Sequence, residues 1–255
     1  DFTIELDDFS FYKKMNVPAP TFCPDCRRQR RLSWRNDFTF YNRTCGLCKR
    51  NIISIYSPEN PHVIYCNTCW WSDQWDPKEY GRDFDFSKPF IEQIKDLFLE
   101  VPVPARSAYN LVNSDYTGGA ANVKNCYMIF QATDSENCLY SYIINNAKDS
   151  IDLLQSDSSQ LSYDSLIINN CYKTVFSYQC ENCIDVYFSR NLFNCSNCFG
   201  CINLRNKQYY IFNKPHSKEE YEKKIAEFDL GSYKNISSIR EKINDLLLGQ
   251  IVKFA

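Results

Sequence analysis

The fold of this chain is decided by a stretch in its second half, residues 170–201, which reads NCYKTVFSYQCENCIDVYFSRNLFNCSNCFGC. Within it, a step of a polar, a small and an apolar residue returns every 11 to 12 positions, starting at Asn170, Asn182 and Asn194. Short runs rich in β-branched and aromatic residues follow these steps. A repeat of this kind, without heptads or long amphipathic helices, predicts a parallel β-helix.

The same step recurs upstream, so that the repeat covers about residues 106–203. Its phase slips between Ser150 and Cys171. We expect two steps to form one coil of roughly 23 residues. Asn side chains should then stack as amide ladders at the turns, and Cys side chains should fill a narrow interior column. The earlier steps begin at Asn125, Asn137 and Asp149.

The ends of such a solenoid must be covered, and two helical segments are candidates for this. Ser87 can cap a helix with apolar residues at helical spacing, and a charged helical segment spans about 217–250. The predicted fold is mainly β: a zinc-ribbon or treble-clef-like module, then a parallel β-helix with short capping helices. The predicted parts are the zinc module at 1–82, the linker and capping helix at 83–105, the β-helix at 106–205 and a helical segment at 206–255.

Cysteine dominates the composition, with 14 Cys against only two His in 255 residues. The first six Cys fall in three tight pairs, which favours metal thiolates in a reducing compartment over disulfides and predicts a cytoplasmic protein. The formal net charge of −2 predicts no global attraction to nucleic acid or to membranes. No stretch approaches the roughly 18 apolar residues that a membrane-spanning helix needs.

Two of the pairs have the spacing of a zinc hairpin. Cys45 and Cys48 are followed by two β-prone runs, with a turn between them, and then by Cys66 and Cys69. Tight x-x turns let two thiolates converge, and the hairpin brings the other two, as tetrahedral Zn²⁺ requires. Buried or disulfide-bonded Cys are the alternative. We expect a closed structural site without an open coordination position, and therefore no enzyme.

The third pair, Cys23 and Cys26, precedes Cys45 by nearly the same spacing and has no evident partner. It could alternate with another pair, or form a second site with ligands from outside this segment, and His62 could also serve. The Trp residues near the hairpin are expected to form its small core, although a partly exposed Trp pair would suit stacking on bases. These residues are Trp70, Trp71 and Trp75.

Charge is segregated along the chain. Residues 21–50 hold eight Arg or Lys against two Asp, whereas residues 106–203 hold five against nine acidic residues. The basic segment directly follows a Cys pair and predicts phosphate contacts with base stacking, on RNA or DNA. The alternative is a solvated helix paired with the acidic solenoid or with Asp7 and Asp8. The candidate nucleic-acid-binding residues are Arg27, Arg28, Arg30, Arg31, Trp34 and Arg35.

Five thiols between Cys180 and Cys201 could hold a second zinc or an iron-sulfur centre. Repeat phase favours the simpler interpretation that Cys183 and Cys195 continue the interior column, because Cys126 and Cys138 stand at the same step without a nearby pair.

Three long motifs are distinctive: residues 8–31, DFSFYKKMNVPAPTFCPDCRRQRR; residues 65–76, YCNTCWWSDQWD; and residues 198–209, CFGCINLRNKQY. Together they resemble a family of zinc-ribbon and Asn/Cys-rich repeat proteins from candidate-phyla-radiation (Patescibacteria) bacteria. The resemblance spans nearly the whole chain. It implies an intracellular bacterial protein whose relatives continue with further Cys-rich repeats, and it supplies no activity. Ser150 and residues 160–162 replace Cys expected in the ladder, so the resemblance does not make the whole column a metal site.

Three functions follow from these patterns. The first is non-enzymatic binding of nucleic acid or a ribonucleoprotein through the basic zinc module, with the β-helix as a rigid scaffold. The second is a protein-protein interaction scaffold. The third is a β-helix carbohydrate-active enzyme, which would need paired carboxylates on one face. The candidates for that pair are Asp149, Asp152, Asp157 and Asp164.

Overall fold

The structure, a computed structural model, describes residues 2–33, 36 and 38–248. The chain forms two compact units, Asp1–Thr39 and Phe40–Ala255. In the first unit, α1 spans Leu6–Lys14 and α2 spans Pro24–Leu32. The second unit contains a β-solenoid of about nine turns, with a four-Cys module at its start and two helices after it. The boundaries predicted at residues 82, 105 and 205 stay predictions.

The second unit begins with short elements that build the four-Cys module and lead into the solenoid. β1 and β2 pair antiparallel, whereas β3 and β4 pair parallel. These elements are β1 Tyr41–Thr44, β2 Asn51–Ser54, β3 Ile64–Tyr65, α3 Asn67–Trp70, a 3₁₀ turn Pro77–Tyr80, α4 Phe90–Glu100 and β4 Val103–Pro104.

The solenoid consists of parallel strands separated by sharp corners, as predicted. Its strands are β5 Ala108–Val112, β6 Thr117–Lys124, β7 Ile129–Thr133, β8 Glu136–Leu139, β9 Tyr142–Asn145, β10 Lys148–Asp157, β11 Tyr163–Asn169, β12 Tyr172–Val175, β13 Tyr178–Glu181, β14 Ile184–Tyr187, β15 Arg190–Phe193, β16 Ser196–Phe199 and β17 Gln208–Ile211.

A single sequence step closes one whole coil, so the predicted coil of two steps is wrong. Each strand pairs with the strand one step further on, as Ile151 with Tyr163 and Tyr172 with Ile184. From Gly119 to Phe212, every third residue has a positive φ. The chain therefore turns a corner after each short side, and four sides close the circuit.

The left-handed corners explain why the repeat is rich in Asn. A left-handed conformation costs most L-residues roughly 1–2 kcal/mol, and Asn and Asp adopt it most readily because their side chains hydrogen-bond locally. At one corner, Asn125 Nδ2 donates to Asn137 Oδ1 at 3.1 Å, and Asn137 Nδ2 donates to Asp149 Oδ1 at 2.8 Å. The predicted amide ladders are thus confirmed, and they join successive coils on the outside.

Each of the four sides of a coil directs one side chain inward, so the interior holds only four side chains per coil. In one circuit these are Cys138, Ser141, Ile144 and Ala147, none of them more than 2% exposed. Most of the buried Ser side chains are satisfied by the backbone. Ser177 Oγ, for example, donates to Val175 O at 2.9 Å and accepts from Ser189 N at 3.1 Å. The narrow interior thus selects small or aliphatic side chains.

The four-Cys module, not the helix after it, covers the first coil. Ala105 N donates to Tyr65 O at 2.8 Å, Ile55 N donates to Ala105 O at 2.9 Å, and Asn67 Nδ2 donates to Ala108 O at 2.8 Å. The helix predicted after Ser87 forms as α4, but none of its residues is buried. Its predicted role as a plug is therefore wrong, because the solenoid edge is already satisfied by backbone bonds to the module.

The last coils are covered by the C-terminal helices, as predicted. β17 turns back into β18, Lys214–Pro215, and is followed by α5, Lys218–Ile225, and α6, Tyr233–Leu248. Ser217 and Glu220 form a capping box at the start of α5. The apolar side chains of this region pack in one cluster with the outer aromatic residues of the solenoid. The helices therefore lie against the outside of these coils.

The contacts of α6 extend over several coils. Phe228, just before it, stacks on Phe199 with ring centroids 4.4 Å apart. Further along, Arg240 forms an ion pair with Asp164 at 2.7 Å and lies over the Phe176 ring. Asp164 and Phe199 belong to different coils that are not neighbours, so α6 and the segment before it together contact the side of the solenoid as well as its end.

Candidate metal centre

Two short turns bring four cysteines together. Cys45 directly follows β1, and Cys48 lies in the following turn, where Gly46 N donates to Ile64 O at 2.7 Å. A Cβ at Gly46 would lie 2.6 Å from Val63 Cγ1, so any larger residue would force the Val63 side chain to move. Cys66 caps α3, which carries Cys69. The two Cys pairs therefore meet, as the sequence predicts.

The four sulfur atoms fit a tetrahedral metal site. All four lie within 4.8 Å of one another, and Cys48 Sγ and Cys66 Sγ are 3.9 Å apart. A metal with metal–sulfur bonds of about 2.3 Å would place sulfur atoms about 3.8 Å apart. Cys45, Cys48, Cys66 and Cys69 are thus close enough to hold a metal ion. They are free thiols, so the alternative of a disulfide in this group is wrong.

The groups around the thiols favour the thiolate form of Cys48 and Cys45 but disfavour that of Cys69. Arg50 Nε donates to Cys48 Sγ at 3.3 Å and lowers the pKa of Cys48 to about 6. Burial opposes ionisation of Cys45, but backbone N–H groups, first that of Cys66, outweigh it and lower the pKa of that thiol. Burial and the neighbouring thiols raise the pKa of Cys69 to about 12. Four thiolates therefore need a cation among them.

Two of the three tryptophans pack around the site as predicted. The ring centroids of Trp70 and Trp75 lie 4.8 Å apart, and Trp75 Nε1 donates to Trp70 O at 3.1 Å. Both belong to the apolar cluster around Cys45 and Cys69. Trp71 is 66% exposed, so its predicted place in the core is wrong. It follows Trp70 on a helix of only one turn, which can direct only one of two successive side chains inward.

His62 does not join the four thiols. Its ring is buried against Phe98, with centroids 4.8 Å apart, and near Tyr56. It is absent from the one group of possible metal ligands found among the described residues. His62 is therefore a packing residue where α4 meets the module.

Cys23 and Cys26 form a pair in the first unit. Cys23 caps α2, and its sulfur accepts a hydrogen bond from Cys26 N at 3.4 Å. Within the described part of this unit, no third ligand joins them. Their predicted part in metal binding stays a prediction.

The cysteines between Cys180 and Cys201 are interior residues of the solenoid. All five are at most 2% exposed, and Cys183 and Cys195 donate to the carbonyls of Glu181 and Phe193. The structure thus supports the column interpretation over a second metal cluster.

The basic residues lie mainly on α2. Arg28, Arg30 and Arg31 are exposed, and Arg27 is partly buried. Within the described part of this unit, none of the four forms an ion pair, with Asp7 or Asp8 or any other acid. Trp34 and Arg35 lie outside the described residues.

The predicted carboxylates lie on the outer surface of the solenoid. Burial and the charge of Asp164 raise the pKa of Asp152, which shows that these two lie near each other. Asp164 is held by Arg240. The pair is thus partly neutralised by an ion pair that secures α6.

No family model matches the chain, and no curated protein matches it either. Among the described residues, no helix is both long and apolar enough to cross a membrane. The function must therefore be argued from the side chains themselves.

Sequence reasoning missed the role of Arg50. It counted this residue only as one of many basic positions, although its place two residues after Cys48 was a usable signal. An arginine there can reach back to the Cys48 thiolate.

We expect Arg50→Ala to raise the pKa of Cys48 toward its ordinary value of 9.0. Protons would then compete better with the metal, so metal release on acidification should move to higher pH, by about half a pH unit.

The measurement is the bound metal per chain after dialysis at stepped pH. Lys49→Ala is the matched control, because Lys49 is also exposed and donates to Gly46 O instead of to a thiol. Identical release curves for Arg50→Ala and the parent chain would contradict the role of Arg50.

Proposed function

We propose that this chain is a non-enzymatic zinc-binding protein that binds nucleic acid, or a ribonucleoprotein, through the basic segment on α2, with the β-solenoid as a rigid scaffold. The observation that carries the proposal is the set of exposed arginines on α2 that lack an acidic partner in the described part of their own unit. Phosphate groups are the abundant anions that guanidinium groups bind with two parallel hydrogen bonds.

The spacing of these arginines supports an external anion. Arg27 and Arg31 are four residues apart, and Arg28 and Arg31 are three apart, so their charges repel along the helix. Arg30 Cζ lies 5.7 Å from the centroid of the Phe22 ring, and this contact orients the Arg30 guanidinium. Arg27 Nε is buried without a hydrogen-bond partner. Such an arrangement gains stability when an anion of a partner binds it.

The identity of the metal is part of the proposal. Four thiolates at tetrahedral spacing favour Zn²⁺, which has no geometric preference of its own and is the usual ion of closed structural sites. All 14 cysteines are free, which supports a reducing compartment such as the bacterial cytoplasm. We extend the proposal to that location and to the bacterial family that the motifs resemble.

The test is retention of single-stranded RNA and DNA as a function of salt. We expect Arg28→Glu, Arg30→Glu and Arg31→Glu together to weaken binding at least about tenfold and to reduce the salt slope by about 2, at about 0.7 per phosphate contact. The control replaces Lys218, Lys223 and Lys224 with Glu, since these cations are exposed on α5. Unchanged retention in the arginine variant would refute the proposal.

An apolar surface favours the second candidate, a protein-interaction scaffold. Phe86 is 92% exposed and Ile91 is 73% exposed, beside further exposed apolar residues of α4. Apolar residues this exposed are typical of a binding surface. A defined protein whose binding is lost in Phe86→Ser with Ile91→Ser, and kept in the arginine variant, would favour this candidate.

A further inference from the structure

A polar cleft lies between the four-Cys module and the first coil of the solenoid. It has a volume of about 570 Å³, which is within the range of small-molecule sites. Both of its walls belong to the same compact unit, residues 40–255, and backbone hydrogen bonds join them. The side chains that concern its chemistry are Asn42, Arg50, Asn51, Trp71, Arg106 and Tyr109.

One wall carries two exposed aromatic rings. Trp71, directly after α3, and Tyr109 on β5 are 66% and 59% exposed, and their ring centroids lie 6.0 Å apart at an interplanar angle of 77°. Their elements are fixed to each other, since Asn67 on α3 donates to the Ala108 carbonyl at 2.8 Å. A tryptophan face held open in this way is a stacking surface for a planar ring.

The cleft offers one cation to a ligand. Arg50 donates its Nε to Cys48 and also lies beside the Cys66 thiol, and its guanidinium lines the cleft, where an anion can reach its remaining N–H groups. Arg106 is buried and is held by Asp115 through the backbone carbonyl and the carboxylate. Its charge is therefore already balanced.

Two amides complete the lining. Asn42 and Asn51 lie on the paired strands β1 and β2, and their side chains form no hydrogen bond within the described chain. An amide presents both donors and an acceptor, which match the edge of a nucleobase.

We propose that this cleft binds one nucleotide, with its base stacked on Trp71 beside Tyr109, the base edge on the amides of Asn42 and Asn51, and a single phosphate on Arg50. Of the two arginines in the lining, Arg106 is paired with Asp115, so Arg50 alone faces a ligand and matches a single phosphate. The ligand class is therefore a nucleoside monophosphate, either free or as one unit of a single strand, and not a nucleoside triphosphate. None of the residues that line this cleft belongs to α2, and the cleft can bind a ligand whether or not α2 binds nucleic acid.

The test uses the intact, metal-loaded chain with Arg28, Arg30 and Arg31 replaced by Glu, so that α2 cannot contribute. AMP, ATP and a short oligo(A) strand are titrated by calorimetry. We expect AMP or the strand to bind, and ATP to bind more weakly than AMP. Trp71→Ala should weaken binding about fivefold or more, on the scale of one lost base stack. Tyr140→Ala, which removes an exposed ring elsewhere on the solenoid, should not change it.

Arg50→Ala and its neighbour Lys49→Ala form the second matched pair, since Arg50 lines the cleft and Lys49 does not. Metal content and circular dichroism are measured for each variant to confirm that it is folded. Binding of AMP identifies a free nucleotide as a source, and binding of oligo(A) alone identifies a strand. The proposal is overturned if neither probe binds, or if binding is equal in Trp71→Ala and the parent.

Discussion

Cys45→Ser is expected to abolish metal binding and to unfold the start of the solenoid. Cys45 is fully buried and is one of four thiols within 4.8 Å of one another, so three ligands remain. The module it holds together provides the strand that pairs with Val103 and Pro104. Structural zinc contributes about 10–16 kcal/mol of binding free energy in small zinc domains. We expect a loss of about 4 kcal/mol or more in the free energy of unfolding, with a melting temperature lower by about 10 °C.

Hydrogen exchange locates the effect within the chain. The amides of Val103 and Ala105 donate to carbonyls of the module, and they should exchange quickly in the variant. The amide of Ile184, which donates to Cys195 O in a later coil, should stay protected, because each coil of a solenoid contacts only its neighbours. Metal per chain is measured on the same samples.

Cys126→Ser is the control for this variant. Cys126 is buried inside the solenoid, and Ser114 and Ser150 stand at the equivalent positions of nearby coils. We expect full metal content and little change in the protection of Ala105. If Cys45→Ser leaves that amide protected, the module does not stabilise the first coil.

Ile144→Asp is expected to break the solenoid in its middle. Ile144 is fully buried among three small side chains of its coil, and no described cation faces it. An ionised carboxylate there would lack a partner, and a neutral one would still leave polar oxygens in an apolar interior. We expect the free energy of unfolding to fall by about 4 kcal/mol or more, measured by urea denaturation.

The adjacent residue gives a sharp control. Ile143 stands at a left-handed corner with φ of 55° and is only half-buried. Asp adopts this conformation more readily than a β-branched residue, so Ile143→Asp should be near neutral. Equal damage from the two substitutions would show that the inward and corner positions of this side are assigned incorrectly.

Sequence alone identified the solenoid because its signals are local. An Asn before most of the solenoid cysteines marks a tight corner, and the β-prone runs mark strands. The number of residues in one coil could not be predicted from local patterns, because a step of this size is compatible with half of a wide coil or with the whole of a narrow one. Only the left-handed conformation at every third residue decides between them. The phase slip from Ser150 to Cys171 has the same origin, because the interval between them is one coil and three further sides.

The candidate site was predicted in part for a similar reason. The spacing of the cysteines was sufficient to predict a metal site, because two residues between thiols form a tight turn that brings both sulfur atoms together. This applies to Cys45, Cys48, Cys66 and Cys69. The exposure of Trp71 could not be predicted, because it depends on how the module packs against the first coil. The hydrogen bond from Arg50 to Cys48 was missed although the two residues are close in sequence.

Patterns along the chain were therefore sufficient for the four thiols of the candidate metal centre, the stacked parallel strands, the amide ladders and the helices that follow the solenoid. Each follows from residues that lie close together in sequence or recur at a fixed step. Three-dimensional packing was needed to show that one step closes a coil, that the four-Cys module covers its first edge, and that α4 buries none of its own residues. These features depend on tertiary contacts, because the backbone N–H and C=O groups at the edge of the solenoid form hydrogen bonds with whichever strand lies next to them in space. Ile64 and Tyr65 meet Val103 and Pro104 although α3 and α4 lie between them in the chain.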